Sequence, residues 1–209
     1  MAKVEQVIYR GAEAEIIKST YLGRDVVKKH RVPKGYRLPE LDKRLRMHRT
    51  REEAKLMLEA RKAGVSVPII YDIHLADATI TMGYLRGSRV KELIPKLSDD
   101  ERRSLCYAIG ESIARLHNNG LIHGDITTSN MIFVDGRVHF IDFGLGEVNR
   151  EVEARGVDLH VLMEAFSSAH SMYPDCFNHV FEGYTSVYEG DVMEVKKKID
   201  EIVRRGRYR

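Results

Sequence analysis

Asp135-Gly136, set between Met131-Ile132-Phe133-Val134 and Val138-His139-Phe140-Ile141, constrains the fold more tightly than any other segment of this chain. Asp-Gly flanked by two apolar, β-prone runs predicts a hairpin. A hairpin returns the chain to its start, so Asn130, just before the first strand, must lie near Asp142, just after the second. A third oxygen donor, Asp125, sits on the loop leading in, within His123-Gly124-Asp125-Ile126-Thr127-Thr128-Ser129-Asn130. Clustered carboxylate and amide oxygens suit a hard cation such as Mg²⁺, which completes its shell with water and substrate phosphates.

Length and composition set the frame around this cluster. The chain has 209 residues, long for one small domain and short for two, which fits one domain built as two lobes. Hydrophobic residues make up 43% and charged residues 31%, enough apolar surface to bury a core. No run of about eighteen apolar residues occurs and the N-terminus lacks a signal-peptide core, so no membrane association and a cytoplasmic location are expected. Cys106 and Cys176 have no Cys-x-x-Cys spacing and read as reduced, structural thiols.

Strand signals run over Val4–Ile8, Glu15–Ser19 and Asp25–His30. A helical pattern from Leu41 to Ala63 ends at Gly64, and two more strands are expected at Val67–Ile73 and Ala78–Met82. Gly83 to Gly87 reads as a connector. Ser98-Asp99-Asp100-Glu101 is a capping box that opens a helix to about His117, closed by Asn118-Asn119-Gly120. After Asp142 the chain reads as irregular and then helical. The expected fold class is α+β: a strand-rich lobe over 1–84, a hinge, a helical lobe over 85–203, and a basic tail at 204–209. Nucleotide sites commonly lie in clefts between such lobes.

The order Asp125-x-x-x-x-Asn130, hairpin, Asp142-Phe143-Gly144 resembles the catalytic and metal-binding loops of protein kinases. The resemblance implies a minimal two-lobed kinase-like fold that binds ATP and Mg²⁺. Asp125 would be the catalytic base or water-orienting group, with Asn130 and Asp142 on the metal. A strand lysine should hold the phosphates, and Val26-Val27-Lys28-Lys29 matches its motif. Val27 and Lys29 share a strand face, which favours Lys29, with Lys28 as the alternative. Its helix partner would be Glu53, or else Glu52; Thr50-x-x-Glu53 also reads as a capping box. Gly11-Ala12-Glu13-Ala14 is a degenerate phosphate loop, keeping one glycine and adding an acid, or a plain β-turn. Gly83 stands where an acidic hinge residue is common, and Gly83 and Leu85 would meet adenine through their backbone.

What is missing narrows the family. No Ser, Thr or Tyr lies between Gly144 and Asp158, and Gly124 replaces the arginine that usually precedes the catalytic aspartate. A phosphorylation switch needs both a hydroxyl and a receiving arginine. The two absences fit one another. Along nearly its whole length the chain resembles the PRPK family, the small atypical kinase/ATPase subunit of the KEOPS complex. That likeness rests on Gly11–Ala14, Lys29–Pro39, Arg49–Ala54, His123–Asn130 and the basic end Arg204–Arg209. It implies ATP hydrolysis, autophosphorylation on Ser/Thr, and a role in threonylcarbamoyl-adenosine modification of tRNA. The implied partners are the threonylcarbamoyl-transferase subunit and the other KEOPS subunits. His123 would anchor the catalytic loop.

Net charge is only +3, yet residues 24–51 carry eleven Lys/Arg against Asp25, Glu40 and Asp42. The last fourteen residues carry seven against Asp200 and Glu201. Both blocks offer an electrostatic footprint for a tRNA backbone, and the tail is expected to order only on a partner. Two other functional classes stay open. One is a free-standing protein Ser/Thr kinase, and the other a small-molecule phosphotransferase of the antibiotic-kinase type.

Overall fold

A computed structural model describes residues 5–207, and the chain divides into two compact units. Val4, where the first strand was expected to begin, and Tyr208 and Arg209 of the basic end lie outside the described residues.

One unit takes in the residues up to Met57 together with Pro68–Arg86. It contains strands β1 (Gln6–Arg10), β2 (Ala14–Tyr21) and β3 (Arg24–Arg31), helix α1 (Pro39–Lys62) as far as Met57, and strands β4 (Ile70–His74) and β5 (Thr79–Gly83). The strands form one antiparallel sheet in the order β1-β2-β3-β5-β4. Leu22 and Gly23, both at positive φ (48° and 76°), make the tight turn that pairs β2 with β3. α1 starts two residues before its expected Leu41, because Pro39 suits a first helical turn that needs no N–H. Thr50 lies well inside α1, its hydroxyl bonded to the Arg46 carbonyl at 2.8 Å, so the capping-box alternative for Glu53 is withdrawn. β4 begins at Ile70 rather than Val67, since Pro68 has no N–H to offer a ladder.

The other unit takes in Leu58–Val67 and Gly87–Arg209. Strand β6 (Ser88–Arg89), the short helix α2 (Val90–Leu93) and a 3₁₀ turn at Ile94–Lys96 lead into helix α3 (Asp99–Asn118). The Ser98/Glu101 capping box is fully formed at its start. Strand β7 (Leu121–Ile122), a 3₁₀ turn at Thr128–Asn130, and strands β8 (Met131–Val134), β9 (Arg137–Phe140) and β10 (Glu147–Val148) carry the loops of interest. Helices α4 (Val152–Ala169), α5 (Cys176–Val187) and α6 (Val192–Arg207) complete the unit. Its core mixes aliphatic and aromatic side chains, with Ile109, Ile113, Leu116, Leu159, Leu162, Val180, Phe140 and Tyr184 fully buried. Cys106 and Cys176 are free and buried.

α3 and α5 touch backbone to backbone. A Cβ at Gly110 would stand 1.9 Å from the Val180 carbonyl oxygen, and one at Gly183 would stand 2.0 Å from that of Tyr107. Alanine is the better helix former by about 1 kcal/mol. Here the clash wins, because neither obstacle is a flexible side chain. Gly110→Ala is expected to cost about 3 kcal/mol of stability, read as a lowered urea midpoint.

The basic end differs from expectation. Residues 204–207 continue α6 instead of forming a loose tail. Val195 and Ile199 bury one face of this helix, and Arg205 reaches Glu153 of α4 at 3.1 Å and Glu201 at 3.6 Å. Packing and ion pairs within the unit supply the order that composition alone denies. Among the described residues no helix is long and apolar enough to cross a membrane.

Candidate active site

In the sheet unit, a chain of buried charges begins at β3. Residues 27, 29 and 31 share a face of this strand, and Lys28 turns away to pair with Glu5 at 2.5 Å. Lys29 Nζ donates to Glu53 Oε1 at 2.6 Å, and Arg31 donates to Glu53 Oε2 at 2.7 Å. Glu53, 1% exposed, therefore serves two cations that are themselves only 7% and 4% exposed. Between the carboxylates left open by the sequence, Glu53 and not Glu52 faces Lys29. Arg31 was not singled out from the sequence. Its signal was the two-residue spacing that puts it on the Lys29 face.

Glu13 joins the same network. Arg49 donates to both of its oxygens at 2.5 and 2.6 Å, and Arg31 lies 3.4 Å away. The hydrogen bond from Arg49 holds the Glu13 carboxyl below its ordinary pKa, helped by the nearby charge of Arg49, Arg31 and Arg37. Lys34 also donates to the Ala12 carbonyl. The Gly11 N–H bonds the Ala14 carbonyl at 2.9 Å, so residues 11–14 form a closed turn clamped onto α1 through its acid. Gly83 ends β5 with its N–H spent on the Ile69 carbonyl at 2.9 Å, so an adenine contact there cannot use that amide. Leu85 follows, half-buried, just past the strand.

In the helical unit, the β8–β9 hairpin turns through Asp135 and Gly136 at φ 47° and 76° and pairs Met131 with Phe140. The Ile141 N–H then bonds the Asn130 carbonyl at 3.0 Å, which sets Asp142 beside Asn130. Asn130 Nδ2 donates to the Asp125 carbonyl at 3.0 Å and to Asp125 Oδ2 at 2.8 Å. Asp142 adopts a left-handed φ of 64° that few side chains tolerate, and its Oδ1 accepts the Gly144 N–H at 3.3 Å.

His123 is fully buried, its ring 4.5 Å from that of Phe143. Burial lowers its pKa, which favours the neutral ring. Nε2 then donates to the Ile141 carbonyl at 3.1 Å, and Nδ1 accepts the Asp125 N–H at 3.3 Å. Both nitrogens are committed to the loop. Gly124 has a φ of +79°, and a Cβ there would come within 2.2 Å of the Leu145 carbonyl oxygen. The sequence links Gly124 to the missing phosphorylation switch; the structure supplies a nearer cause in the backbone.

Two holders of this loop escaped sequence reasoning, one from α4 and one just past its end. Asp158, 1% exposed, accepts the His123 N–H and the Gly124 N–H, each at 2.9 Å. His170, just past the last turn, bonds Thr128 Oγ1 through Nε2 at 2.9 Å. The one signal for Asp158 was a carboxylate inside an otherwise apolar helix stripe, since a buried acid must have donors.

The donor set fits a magnesium ion. Both N–H bonds of Asn130 go to Asp125, which leaves the amide oxygen as the remaining polar atom of a side chain whose backbone is tied, through Ile141, to the residue before Asp142. Among the described residues no group of three or more His, Cys, Asp or Glu is placed to hold a metal by itself. A cation here would take most of its shell from phosphate and water, as Mg²⁺ does. The basic block at 24–51 is partly spent internally: Lys28, Lys29, Arg31, Arg37, Arg46 and Arg49 all pair with carboxylates.

Comparison with known proteins agrees with this arrangement. The protein kinase domain family matches residues 21–169. The chain is 42% identical to KEOPS complex subunit Bud32 of Pyrococcus abyssi, over 98% of this chain and 96% of that protein. It is also 42% identical to a probable bifunctional tRNA threonylcarbamoyladenosine biosynthesis protein of Methanothermobacter thermautotrophicus, over 97% of this chain but only 36% of that longer protein. Among solved structures, it is similar to the Rio2 kinase of Chaetomium thermophilum in an ADP/Mg²⁺-phosphoaspartate complex, with a TM-score of 0.66 and 16% identity over 96% of this chain and 71% of that one. An ADP-bound aminoglycoside phosphotransferase APH(2'')-Ib gives 0.65 and 16% identity, over 93% of this chain and 80% of that one. At such identity these two speak for the fold alone. With a kinase-like sheet unit and helical unit, and near end-to-end similarity to Bud32, the chain belongs to the protein kinase family, in its KEOPS Bud32 branch.

Proposed function

We propose that this chain is the ATP-binding, ATP-hydrolysing and autophosphorylating Ser/Thr kinase subunit of a KEOPS complex, supporting threonylcarbamoyl-adenosine modification of tRNA. The observation that carries this reading is the 42% identity to Bud32 over nearly the full length of both chains. Lys29, held by Glu53, binds the ATP phosphates, under the turn Gly11-Ala12-Glu13; Gly83 and Leu85 meet the adenine through backbone atoms. Asp125 orients the attacking water or accepts the proton of a hydroxyl. Asn130 and Asp142 would hold Mg²⁺, which when bound would neutralise phosphate charge. His123, Asp158 and His170 keep the loop in place.

The bifunctional relatives support a close partner. This chain spans about a third of their length, 36% for the Methanothermobacter protein, so there the kinase-like part is joined to a second part of a protein named for tRNA modification. We assign the threonylcarbamoyl-transferase subunit and the other KEOPS subunits as partners, and the cytoplasm as the setting. For tRNA, Lys196, Lys197 and Arg204 on the exposed side of α6 supply positive charge, together with the residues of 24–51 left over from internal pairing, such as Lys43, Arg44 and Arg51. Replacing Lys196, Lys197 and Arg204 by Gln is expected to flatten the salt dependence of tRNA binding, by about 0.7–0.9 in log-log slope for every phosphate no longer neutralised. An unchanged slope would remove α6 from the interface.

The deciding experiment measures ATP turnover with and without the transferase subunit and tRNA. Turnover stimulated by those partners supports the proposal. Robust phosphorylation of an added peptide by the isolated chain would favour a free-standing protein kinase instead.

A further inference from the structure

Among the described residues Tyr184 is the bulkiest fully buried side chain, and it lies on α5, which contributes no residue to the loops described above. Its hydroxyl is 3.1 Å from His117 Nδ1, and His117 Nε2 is 3.3 Å from Asp158 Oδ2. Asp158 is the carboxylate that receives the His123 and Gly124 amides. On its other side, the Tyr184 ring stacks on Tyr188 at 4.8 Å, and Arg155 donates to the Tyr188 hydroxyl at 2.6 Å.

Donor and acceptor chemistry gives this chain a direction. Arginine has donors only and keeps its charge, so the Tyr188 oxygen must accept from Arg155. Burial pushes the Tyr184 hydroxyl well above its usual pKa, so it stays protonated and can donate onward. Its acceptor is His117 Nδ1. A neutral imidazole accepting at Nδ1 carries its hydrogen on Nε2, which faces Asp158.

We infer that Tyr184 is a positioning residue for the catalytic loop: its hydrogen bond at Nδ1 holds the His117 ring with Nε2–H aimed at Asp158, and so steadies the carboxylate that holds the His123 and Gly124 amides. The inference rests on the kinase reading for its catalytic consequence and on the hydrogen bonds for everything else. His117 and Asp158 are both 0% exposed in their side chains, so no water competes for these partners.

The test uses the full chain with Tyr184→Phe, which keeps the ring and removes only the hydroxyl. Nitrogen-15 NMR of His117 is expected to show the Nε2–H tautomer in both proteins, because Asp158 only accepts, with the Nδ1 resonance moved in the variant by loss of its hydrogen bond. Amide exchange at His123 and Gly124 should quicken by about tenfold, the scale of one hydrogen bond, with Ile113 in α3 unchanged. ATP turnover should fall by about ten- to a hundredfold in kcat with KM for ATP unaltered. His117→Gln presents an amide N–H where Nε2–H stood, so in that background Tyr184→Phe should add nothing. Additive losses, unaltered exchange at the two amides, or a doubly protonated His117 in the wild type would each overturn the inference. Tautomer and exchange are read without nucleotide, so a wild type that fails to turn over ATP counts against the proposed function alone.

Discussion

Asp125→Ala should slow ATP turnover by about 10²–10⁴-fold, the usual worth of a positioned general base. The same change should leave the thermal midpoint nearly untouched, because Asp125 is only half-buried and sits on a loop held by other groups. Two effects combine in the loss. The carboxylate that would orient the nucleophile is gone, and Asn130 loses the 2.8 Å bond to Asp125 Oδ2 that helps aim its amide. Asp125→Asn separates them in part, since it keeps the volume but removes the charge and the basic oxygen. Turnover within a few-fold of wild type in Asp125→Ala, measured at saturating ATP, would place the chemistry elsewhere.

Glu53→Ala carries the largest expected stability cost, about 3–5 kcal/mol, because removing one partner of a buried ion pair strands the other. Here the lost carboxylate serves two cations, Lys29 and Arg31, both nearly inaccessible to water, and Arg31 keeps only its longer 3.4 Å contact to Glu13. Against a total stability of about 5–15 kcal/mol, such a loss leaves a domain close to unfolding. Lys29→Met should be milder, since Glu53 keeps its 2.7 Å bond to Arg31 and the apolar stem is replaced. Urea denaturation of the two variants checks the order. Equal destabilisation would mean that Glu53 does not depend on both cations.

What could be read from the chain beforehand was local. The hairpin at Asp135-Gly136, the capping box at Ser98 and the face shared by Val27 and Lys29 each depend on residues a few positions apart, where turn and strand chemistry decide the outcome. The missed elements are those decided by distant partners. Asp158 lies 34 residues from Gly124 in sequence, and its role exists only once α4 packs beneath the loop. The basic end reads as unfoldable in isolation, yet Val195, Ile199 and the Arg205–Glu153 pair turn most of it into the last turns of α6. Glu53 was legible as a candidate but not as a doubly shared carboxylate, because nothing local distinguishes Arg31 from the other cations of the block.

The tight approach of Gly124 to the Leu145 carbonyl bears on how such a protein can change over time. A descendant that gained a phosphorylatable hydroxyl after Gly144 would still lack a receiver for the phosphate. It could not acquire an arginine at position 124 by a single substitution, because any side chain there meets backbone 2.2 Å away. The segment around Leu145 would have to move first, with no benefit until the arginine arrived. Two steps that bring nothing singly form a barrier to mutation, and it stands between this backbone and any phosphate-receiving arginine at position 124.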